Sequence, residues 1–599
     1  MTAERPARAP AGGGTRAGTV PEPCEAETPV ETPDTLGAYP RLSEAHIALL
    51  DRYGRRRPTR AGDVLFREGD STCDFVVVLR GRVAMVEHYG TPGQRVLGTH
   101  GPGRFLGELN LLTGQSVFLT AVVCAAGEVL AVPAGRLREL VAHDPRLGDL
   151  ILRAYLTRRS ILIGLGTGLR IIGSRYSRDT LRLREFAARN RLPHRWIDLE
   201  DDGEADALLR RLGIDPEQTP VVVCRGERVL RNPTNAELAR VLGLPRARRL
   251  EQVWDLVVVG AGPAGLAATV YAASEGLRTL LIDAIASGGQ AGTSSRIENY
   301  LGFPSGISGA ELAERAYLQA AKFGAQVLVP ARAVALEPGS AQHRLRLAEE
   351  RPVHTRALII ATGARYRRLG LPRQEEFEGA GIYYAATEIE VLTCADRPVA
   401  VVGGGNSAGQ AALYLAGHAM SVTLLIRGPD PSESMSRYLV DAISRTPRIE
   451  VRVNTEVREL IGDRHLEALL VEDDRTGRGE RIDAHALFVF IGAAPHTDWL
   501  AGEVALDDDG FVPASTGSPR DEVARHDGGR PRLLLETSAD GIFAAGDVRS
   551  GSIKRVASAV GEGAMAVRGV HEYLDHPSPG SSDSRTTRRG TDADLYAHT

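Results

Sequence analysis

The segment WDLVVVGAGPAGLAATVYAASEG, residues 254–276, constrains the fold more than any other part of the chain. Asp255–Val259 is an apolar run of strand length, and Gly260, Gly262 and Gly265 follow it as GxGxxG, with a helical pattern beginning at once. A second apolar run, RTLLID, ends in Asp283, 18 residues beyond Gly265. Each residue type has a physical reason. Gly260 permits a tight turn, Gly262 lets backbone approach a pyrophosphate, and Gly265 lets the helix pack closely on the strand. The helix start, with Pro263 and Ala264 between the glycines, offers open N–H groups and positive dipole to phosphates. Asp283 is placed to accept hydrogen bonds from a ribose hydroxyl.

The pattern occurs twice. RPVAVVGGGNSAGQAALYLAGHAMSVTLLIRG has the strand Val399–Val402, then Gly403, Gly405, Asn406, Ser407 and Ala408 within a GxGxxA turn. Its second strand ends in Arg427 instead of an acid. An acid would repel a 2′-phosphate and Arg can pair with it, so the turn is expected to take NADPH. Two dinucleotide turns in one unit imply a flavin exchanging hydride with a nicotinamide, hence FAD and NADPH as cofactors.

Further motifs lie between and after the turns: Gly288-Gly289-Gln290, Ile297-Glu298-Asn299-Tyr300, Ala361-Thr362-Gly363, Ile491-Gly492 with Pro495, and GIFAAGDVRSGSIKRVASAVGEGAMA. With these, the stretch from about 252 to 576 resembles the low-molecular-weight thioredoxin reductase family. The resemblance implies that the last motif wraps FAD. Gly546 and Asp547 would lie at its ribityl or pyrophosphate portion, Val556 and Ala557 near the isoalloxazine, and Gly289, Gln290, Asn299, Ala361, Thr362 and Gly363 around it. It also implies a CxxC shortly before the second glycine strand. The residues there are Ala385, Ala386, Thr387 and Glu388, so a dithiol cannot form, and Cys394 is expected to pack at the start of that strand.

Residues 166–246 read as a small α/β unit that resembles a thioredoxin or glutaredoxin domain. LRIIGS, DTLRLREFAARN and HRWIDLE supply strand, helix and strand, and Thr219-Pro220 precedes VVVC. The resemblance implies a cis proline and a CxxC after the first strand, where Arg175-Tyr176-Ser177-Arg178 stands instead. Residues 39–163 alternate short apolar runs with glycine turns, as in a β sandwich or barrel, before a helical stretch from Arg136 to Arg159. They resemble a cyclic-nucleotide-binding β-roll through GDVLF, LRG and GRFLGEL, which implies that Gly107 and Glu108 form the nucleotide pocket. The cation expected near Phe118 is missing: no Lys or Arg occurs from Phe105 to Gly135. A buried phosphate without a paired cation carries a large desolvation cost, so the pocket is expected to be degenerate.

The expected architecture is therefore multidomain: an N-terminal β-roll with C-terminal helices, a small thioredoxin-like α/β domain, then FAD- and NAD(P)-binding α/β Rossmann-like domains. The FAD domain is expected to be discontinuous (252–366 and 495–576) around an NADPH domain at 379–494. Residues 1–38 and 577–599, polar and without periodicity, are expected to be disordered. The net charge of −4 gives no drive toward nucleic acid. No apolar run reaches the ~18 residues of a membrane span. Five cysteines without metal spacing read as isolated thiols in a cytoplasmic protein, with no metal site.

The expected function is an NADPH-dependent FAD oxidoreductase of the thioredoxin-disulfide reductase class without an internal CxxC. Its acceptor would be a quinone, a ferredoxin- or flavodoxin-like carrier, oxygen, or an external disulfide, and the resemblance implies a homodimer. Two alternatives are a ferredoxin/flavodoxin–NADP reductase-like enzyme and a redox- or ligand-sensing regulatory flavoprotein. No side chain stands out as a catalytic acid or base.

Overall fold

The computed structural model describes residues 31–575 except 71, 92, 108–115, 201–208, 211–212, 216–217, 225–227, 245–250, 295, 349, 385, 387–389, 392–393, 464, 501 and 517–529. The chain divides into two compact units. One holds the residues up to Arg170 with Pro193–Arg195 and Val223–Leu230; the other holds Ile171–Leu192, Trp196–Val222 and everything from Arg231.

In the first unit six strands make one antiparallel sheet. The long strands Phe75–Glu87 and Thr120–Val132 pair along their length, flanked by Arg55–Thr59 and Arg95–His100 and extended by Val64–Phe66 and Phe105–Leu106. Alternation along the strands builds two cores, one on each face. Phe75 and Val77 join Phe105, Leu130 and Val132 against the helices Ala134–His143 and Pro145–Gly164, while Val76 and Val78 join Leu106, Val117 and Val129 on the other side. The helical stretch expected over 136–159 is two helices. Asp144 ends the first and caps the second, accepting from the Leu147 N–H at 3.0 Å, and Pro145 takes the first helical position.

The expected N-terminal tail is shorter than 1–38, because residues 31–38 are tied to the roll. The Thr32 N–H donates to the Thr99 carbonyl at 3.1 Å, the Thr99 N–H donates to Thr32 Oγ1 at 2.7 Å, and Glu31 pairs with Arg104 at 2.8 Å. Residues 1–30 and the expected tail 577–599 lie outside the described residues. The reading of all five cysteines as isolated thiols is also corrected. Cys124 is disulfide-bonded, whereas Cys73, Cys224 and Cys394 hold no disulfide.

A small sheet of four strands has the order Arg228–Arg231, Val221–Cys224, Leu169–Ile172, His194–Ile197, and the Thr219–Pro220 peptide is cis, as expected. Between its strands runs the helix Arg178–Arg189, capped by Ser177.

The strand Val253–Val259 lies inside a seven-stranded sheet, parallel to Thr279–Ile282 on one side and Val353–Ile360 on the other. Gln326–Leu328 and Ile542–Ala544 add parallel strands, and Ala333–Glu337 with His343–Leu347 adds an antiparallel hairpin. Both faces of the central strand are covered, which is why it reads as an unbroken apolar run instead of an alternation. The helices Pro263–Ser274 and Val556–Asp575 cover one face and cross at Gly563, where a Cβ would stand 2.2 Å from the Ala264 carbonyl oxygen.

The second dinucleotide strand, Pro398–Val402, sits in a five-stranded parallel sheet between Ala486–Val489 and Ser421–Leu425, with Ile382–Tyr383 and Ile449–Arg452 at the edges. Thr455–Gly462, Leu466–Asp473 and Arg478–Asp483 form a separate antiparallel sheet. The chain crosses between the two domains as Ala364–Tyr366 and returns as Ala493–Pro495, and these strands pair antiparallel. The expected multidomain plan, with a β-rich N-terminal domain and two Rossmann-type domains, is the observed one.

The helix crossing gives a direct test. Gly563→Val should force the two helices apart and lower stability by ~1–3 kcal/mol through overpacking. Denaturant unfolding measures it, and an unchanged midpoint would show that the helices do not meet there.

Candidate active site

Both dinucleotide turns are built by the same steric device. Gly260 has φ +108°, and a Cβ there would lie 2.2 Å from the Ala361 carbonyl oxygen, so the strand end Ala361-Thr362-Gly363 is pressed against the turn. Gly403 has φ +142°, and its Cβ would lie 2.4 Å from the Phe490 carbonyl oxygen. In each case only glycine fits, and the following helix starts beside the end of the neighbouring parallel strand. Gly262 and Gly405 are the N-caps of those helices, and neither start carries a side-chain cap. The first N–H groups of both helices are thus left open, with about half a positive charge at each helix end.

Around the first turn the structure gathers most of the expected residues. Gly289 leans on Gly262, since a Cβ on it would come within 2.8 Å of the Gly262 Cα. Ala264 and Gly265 are buried, Pro263 half-buried. Gly546, with φ +78°, lies against the first helical turn, its Cβ position 2.8 Å from that of Ala264, and Asp547 is the next residue in the chain. The Asp547 carboxylate is half-buried and makes no hydrogen bond among the described residues. Burial is the largest influence on it and raises its pKa; the Lys554 ammonium pulls it down and Glu562 adds to the rise. Val556 and Ala557 open the helix Val556–Asp575.

Four expected residues behave otherwise than simple ligand contacts. Asp283 braces the turn: Oδ2 accepts from the Ala261 N–H at 2.8 Å, and Oδ1 accepts from Ile285 and Ala286 at 2.9 and 3.1 Å. Its ribose role would use the acceptor capacity left on those oxygens. The Gln290 side-chain amide donates to the Ala364 carbonyl, which binds it to the crossing strand. Asn299 is exposed. Thr362 Oγ1 donates to the His496 carbonyl at 2.8 Å, beside the same crossing.

At the second turn, the segment 434–437 closes over the glycines. Asn406 Oδ1 accepts from the Ser436 N–H at 2.7 Å and Oγ at 2.8 Å, and Ser434 Oγ donates to the Gly404 carbonyl at 2.9 Å. Ser407 is exposed and Ala408 buried. Arg427 is exposed at the strand end and forms no hydrogen bond or ion pair among the described residues, nor does Arg437 at the start of the helix Arg437–Ser444.

Ser434, Ser436, Arg437 and Glu562 were missed from the sequence. Ser436 had one signal, a serine just before a helical run. Glu562 had none. It lies mid-helix, accepts from the Gly546 N–H at 2.7 Å and pairs with Arg549 at 2.6 Å, and so holds the turn that carries Asp547. Breaking such a pair from one side costs about 3–5 kcal/mol.

The position of the absent dithiol falls largely outside the described residues: Ala385, Thr387 and Glu388 do, and Ala386 packs against the core of Tyr383, Val391 and Cys394. Cys394 is 1% exposed, and burial first, then Glu390, pushes its thiol up to about 12. A thiol so protonated is not a nucleophile. In the β-roll, Gly107 has φ +93° and lies against the Asp74 carbonyl, while Glu108 lies outside the described residues. Among the described residues no His, Cys, Asp and Glu gather as a metal site, and no helix is long and apolar enough to cross a membrane.

Residues 254–563 match the family of pyridine nucleotide-disulphide oxidoreductases, and residues 56–144 match the cyclic nucleotide-binding domain. The thioredoxin reductase of Eremothecium gossypii is 34% identical over 329 residues, covering 53% of this chain and 97% of its own. That of Treponema pallidum is 33% identical over 327 residues, covering 54% and 99%. NADPH-dependent thioredoxin reductase 3 of Arabidopsis thaliana is 33% identical over 331 residues, and there the match spans 54% of this chain but only 59% of the relative. Among solved structures, thioredoxin reductase from T. acidophilum is 28% identical with a TM-score of 0.49, covering 54% of this chain and 100% of its own.

Fold and site together define a flavoprotein oxidoreductase with two dinucleotide domains. The chain belongs to the pyridine nucleotide-disulphide oxidoreductase family, its dinucleotide unit is thioredoxin reductase-like, and it carries a cyclic nucleotide-binding domain at its N-terminal side.

Asp547 allows a signed test. Its pKa is raised in the fold, so the protonated form is favoured and stability is lost as pH rises through the carboxylate range. At neutral pH the loss is fully present. Flavin-free Asp547→Asn should therefore melt above the flavin-free parent at neutral pH, with the gap closing as pH falls through that range. Loaded with flavin, the order should reverse. A flavin-free variant that melts lower at neutral pH would sink this assignment.

Proposed function

We propose that this chain is an NADPH-dependent FAD oxidoreductase of the thioredoxin-disulfide reductase class that delivers electrons to an external acceptor without an internal dithiol. The observation that carries the reading is a pair of uncapped helix starts in one compact unit. One packs on Gly546, next to the half-buried Asp547, and the other has the exposed Arg427 at the end of its next strand; neither charged group has a hydrogen-bond or ion-pair partner among the described residues.

The residues fit the two groups. Open N–H groups at Gly262 and Ala264 suit a pyrophosphate, Asp547 can accept from a ribityl hydroxyl, and Asp283 keeps capacity for a ribose hydroxyl. At the second turn Arg427, with Arg437 as a further cation near the closing loop, suits a 2′-phosphate. When bound, FAD and NADPH supply hydride transfer between nicotinamide and isoalloxazine. The chain's part in that step is alignment and exclusion of water, which needs no acid or base.

Electron exit is what sets this chain apart. The CxxC position holds Ala385, Ala386, Thr387 and Glu388, the small domain has Arg175–Arg178 in the corresponding place, and the nearby Cys394 thiol is held protonated. The acceptor is therefore reached directly: a quinone, a ferredoxin- or flavodoxin-like carrier, oxygen, or an external disulfide. The working form is a cytoplasmic homodimer. The β-roll takes no ordinary cyclic nucleotide. Its loop has no basic residue from 105 to 135, and the adjoining Arg104 is buried and committed to Glu31 and Thr32.

The decisive experiment is anaerobic mixing of the FAD-loaded protein with NADPH while flavin absorbance is followed. Bleaching is expected, followed by reoxidation on adding the productive acceptor from a set of thioredoxin, ferredoxin, quinone and oxygen. No bleaching would overturn the proposal. Arg427→Ala should raise the Kd for NADPH about tenfold, the size of one lost charge-assisted contact, and leave NADH nearly unchanged. Equal loss for both refutes the role of Arg427. Calorimetric titration of the β-roll with cAMP and cGMP should show no heat of binding at millimolar ligand.

A further inference from the structure

The helix Arg178–Arg189 and its flanks reach both dinucleotide domains. At one end, Tyr176 stacks on His465 with ring centroids 5.0 Å apart and planes at 19°, and Arg178 pairs with Glu378 at 2.9 Å. Leu181 packs on the core around Tyr383, Val391 and Cys394. The left-handed turn at Gly379 comes so near that a Cβ on it would stand 3.2 Å from Leu181. These partners belong to the second dinucleotide domain. At the other end, Asn190 donates to the Ile285 carbonyl at 3.1 Å and Arg191 faces Glu314 as an ion pair at 2.6 Å. Those partners belong to the first.

A helix of 12 residues, ~18 Å long, is thus tied at each end to a different domain. The chain itself crosses between these domains only as Ala364–Tyr366 and Ala493–Pro495. Domains linked so narrowly move against each other unless an interface holds them. We propose that the small domain, which has no CxxC, is a strut that fixes the angle between the two dinucleotide domains, and not a carrier of electrons between them.

The two ends differ in how readily they open. Arg191 and Glu314 are 17% and 6% exposed, so separating them would leave buried charge uncompensated. Arg178 is 56% exposed, and Glu378 keeps Arg368 at 3.0 Å and the Tyr384 hydroxyl at 2.8 Å when Arg178 leaves. Release therefore occurs at the Tyr176–Arg178 end, and the strut stays with the first domain.

Hydrogen–deuterium exchange on the full, FAD-loaded chain tests this. In the Tyr176→Ala/Arg178→Glu variant, peptides containing 364–366 and 493–495 should exchange about tenfold faster, while the 178–189 peptide keeps its protection. In Arg191→Gln/Glu314→Gln, which leaves no lone charge, the 178–189 peptide should loosen as well. Wild-type exchange at both crossing strands in the first variant would overturn the proposal. So would a 178–189 peptide that loses protection there while the crossing strands are unchanged. Should the double variant fold poorly, Tyr176→Ala alone, which removes a half-buried ring, gives the same readout. None of these measurements depends on nicotinamide oxidation, so the strut and the proposed reaction stand or fall separately.

Discussion

At Gly260 the strand Val253–Val259 runs so close to Ala361 that a methyl group would stand 2.2 Å from its carbonyl oxygen. Everything in the first dinucleotide domain follows from that contact. It brings the ends of two adjacent parallel strands together, and it starts the helix Pro263–Ser274 at their mouth. It also leaves room for the Gly546 turn to settle on the same helix. The arrangement at Gly403 and Phe490 repeats it. A side chain at either glycine would push the helix start out of the crevice, and the open N–H groups would no longer converge on one point.

The polar groups near these turns fall into two kinds. Asp283, Glu562 and Arg549 are engaged with the protein itself, and hold backbone in place. Among the described residues the Asp547 carboxylate and the Arg427 guanidinium make no hydrogen bond or ion pair, and burial disfavours the Asp547 charge. Groups left unsatisfied in a concave site are where ligand chemistry is expected, because a folded chain gains nothing by leaving them so. The contrast separates the two carboxylates more sharply than spacing does: Asp283 accepts from three backbone N–H groups, and Asp547 accepts from none among the described residues.

The absent dithiols acquire a structural meaning. Arg175–Arg178 and Ala385–Glu388 carry no thiol, and the described residues there pack: Tyr176 on His465, Arg178 on Glu378, and Ala386 on the core that also takes Leu181 and Cys394.

The sequence by itself determined the two glycine turns, the parallel strands before them, the basic residue at 427, the missing cysteines and the missing cation of the β-roll. Each is a local pattern, in which a turn, a period or a residue type is imposed within a few positions along the chain. Tertiary structure alone decided that Glu562 holds the Gly546 turn, that Ser436 closes on Asn406, that Asp283 braces backbone, that residues 31–38 lie on the roll and that one helix ties two domains together. Those contacts join residues from 16 positions apart, Gly546 and Glu562, to 289, Tyr176 and His465, and a local pattern holds no information about which distant partner a folded chain will bring to it.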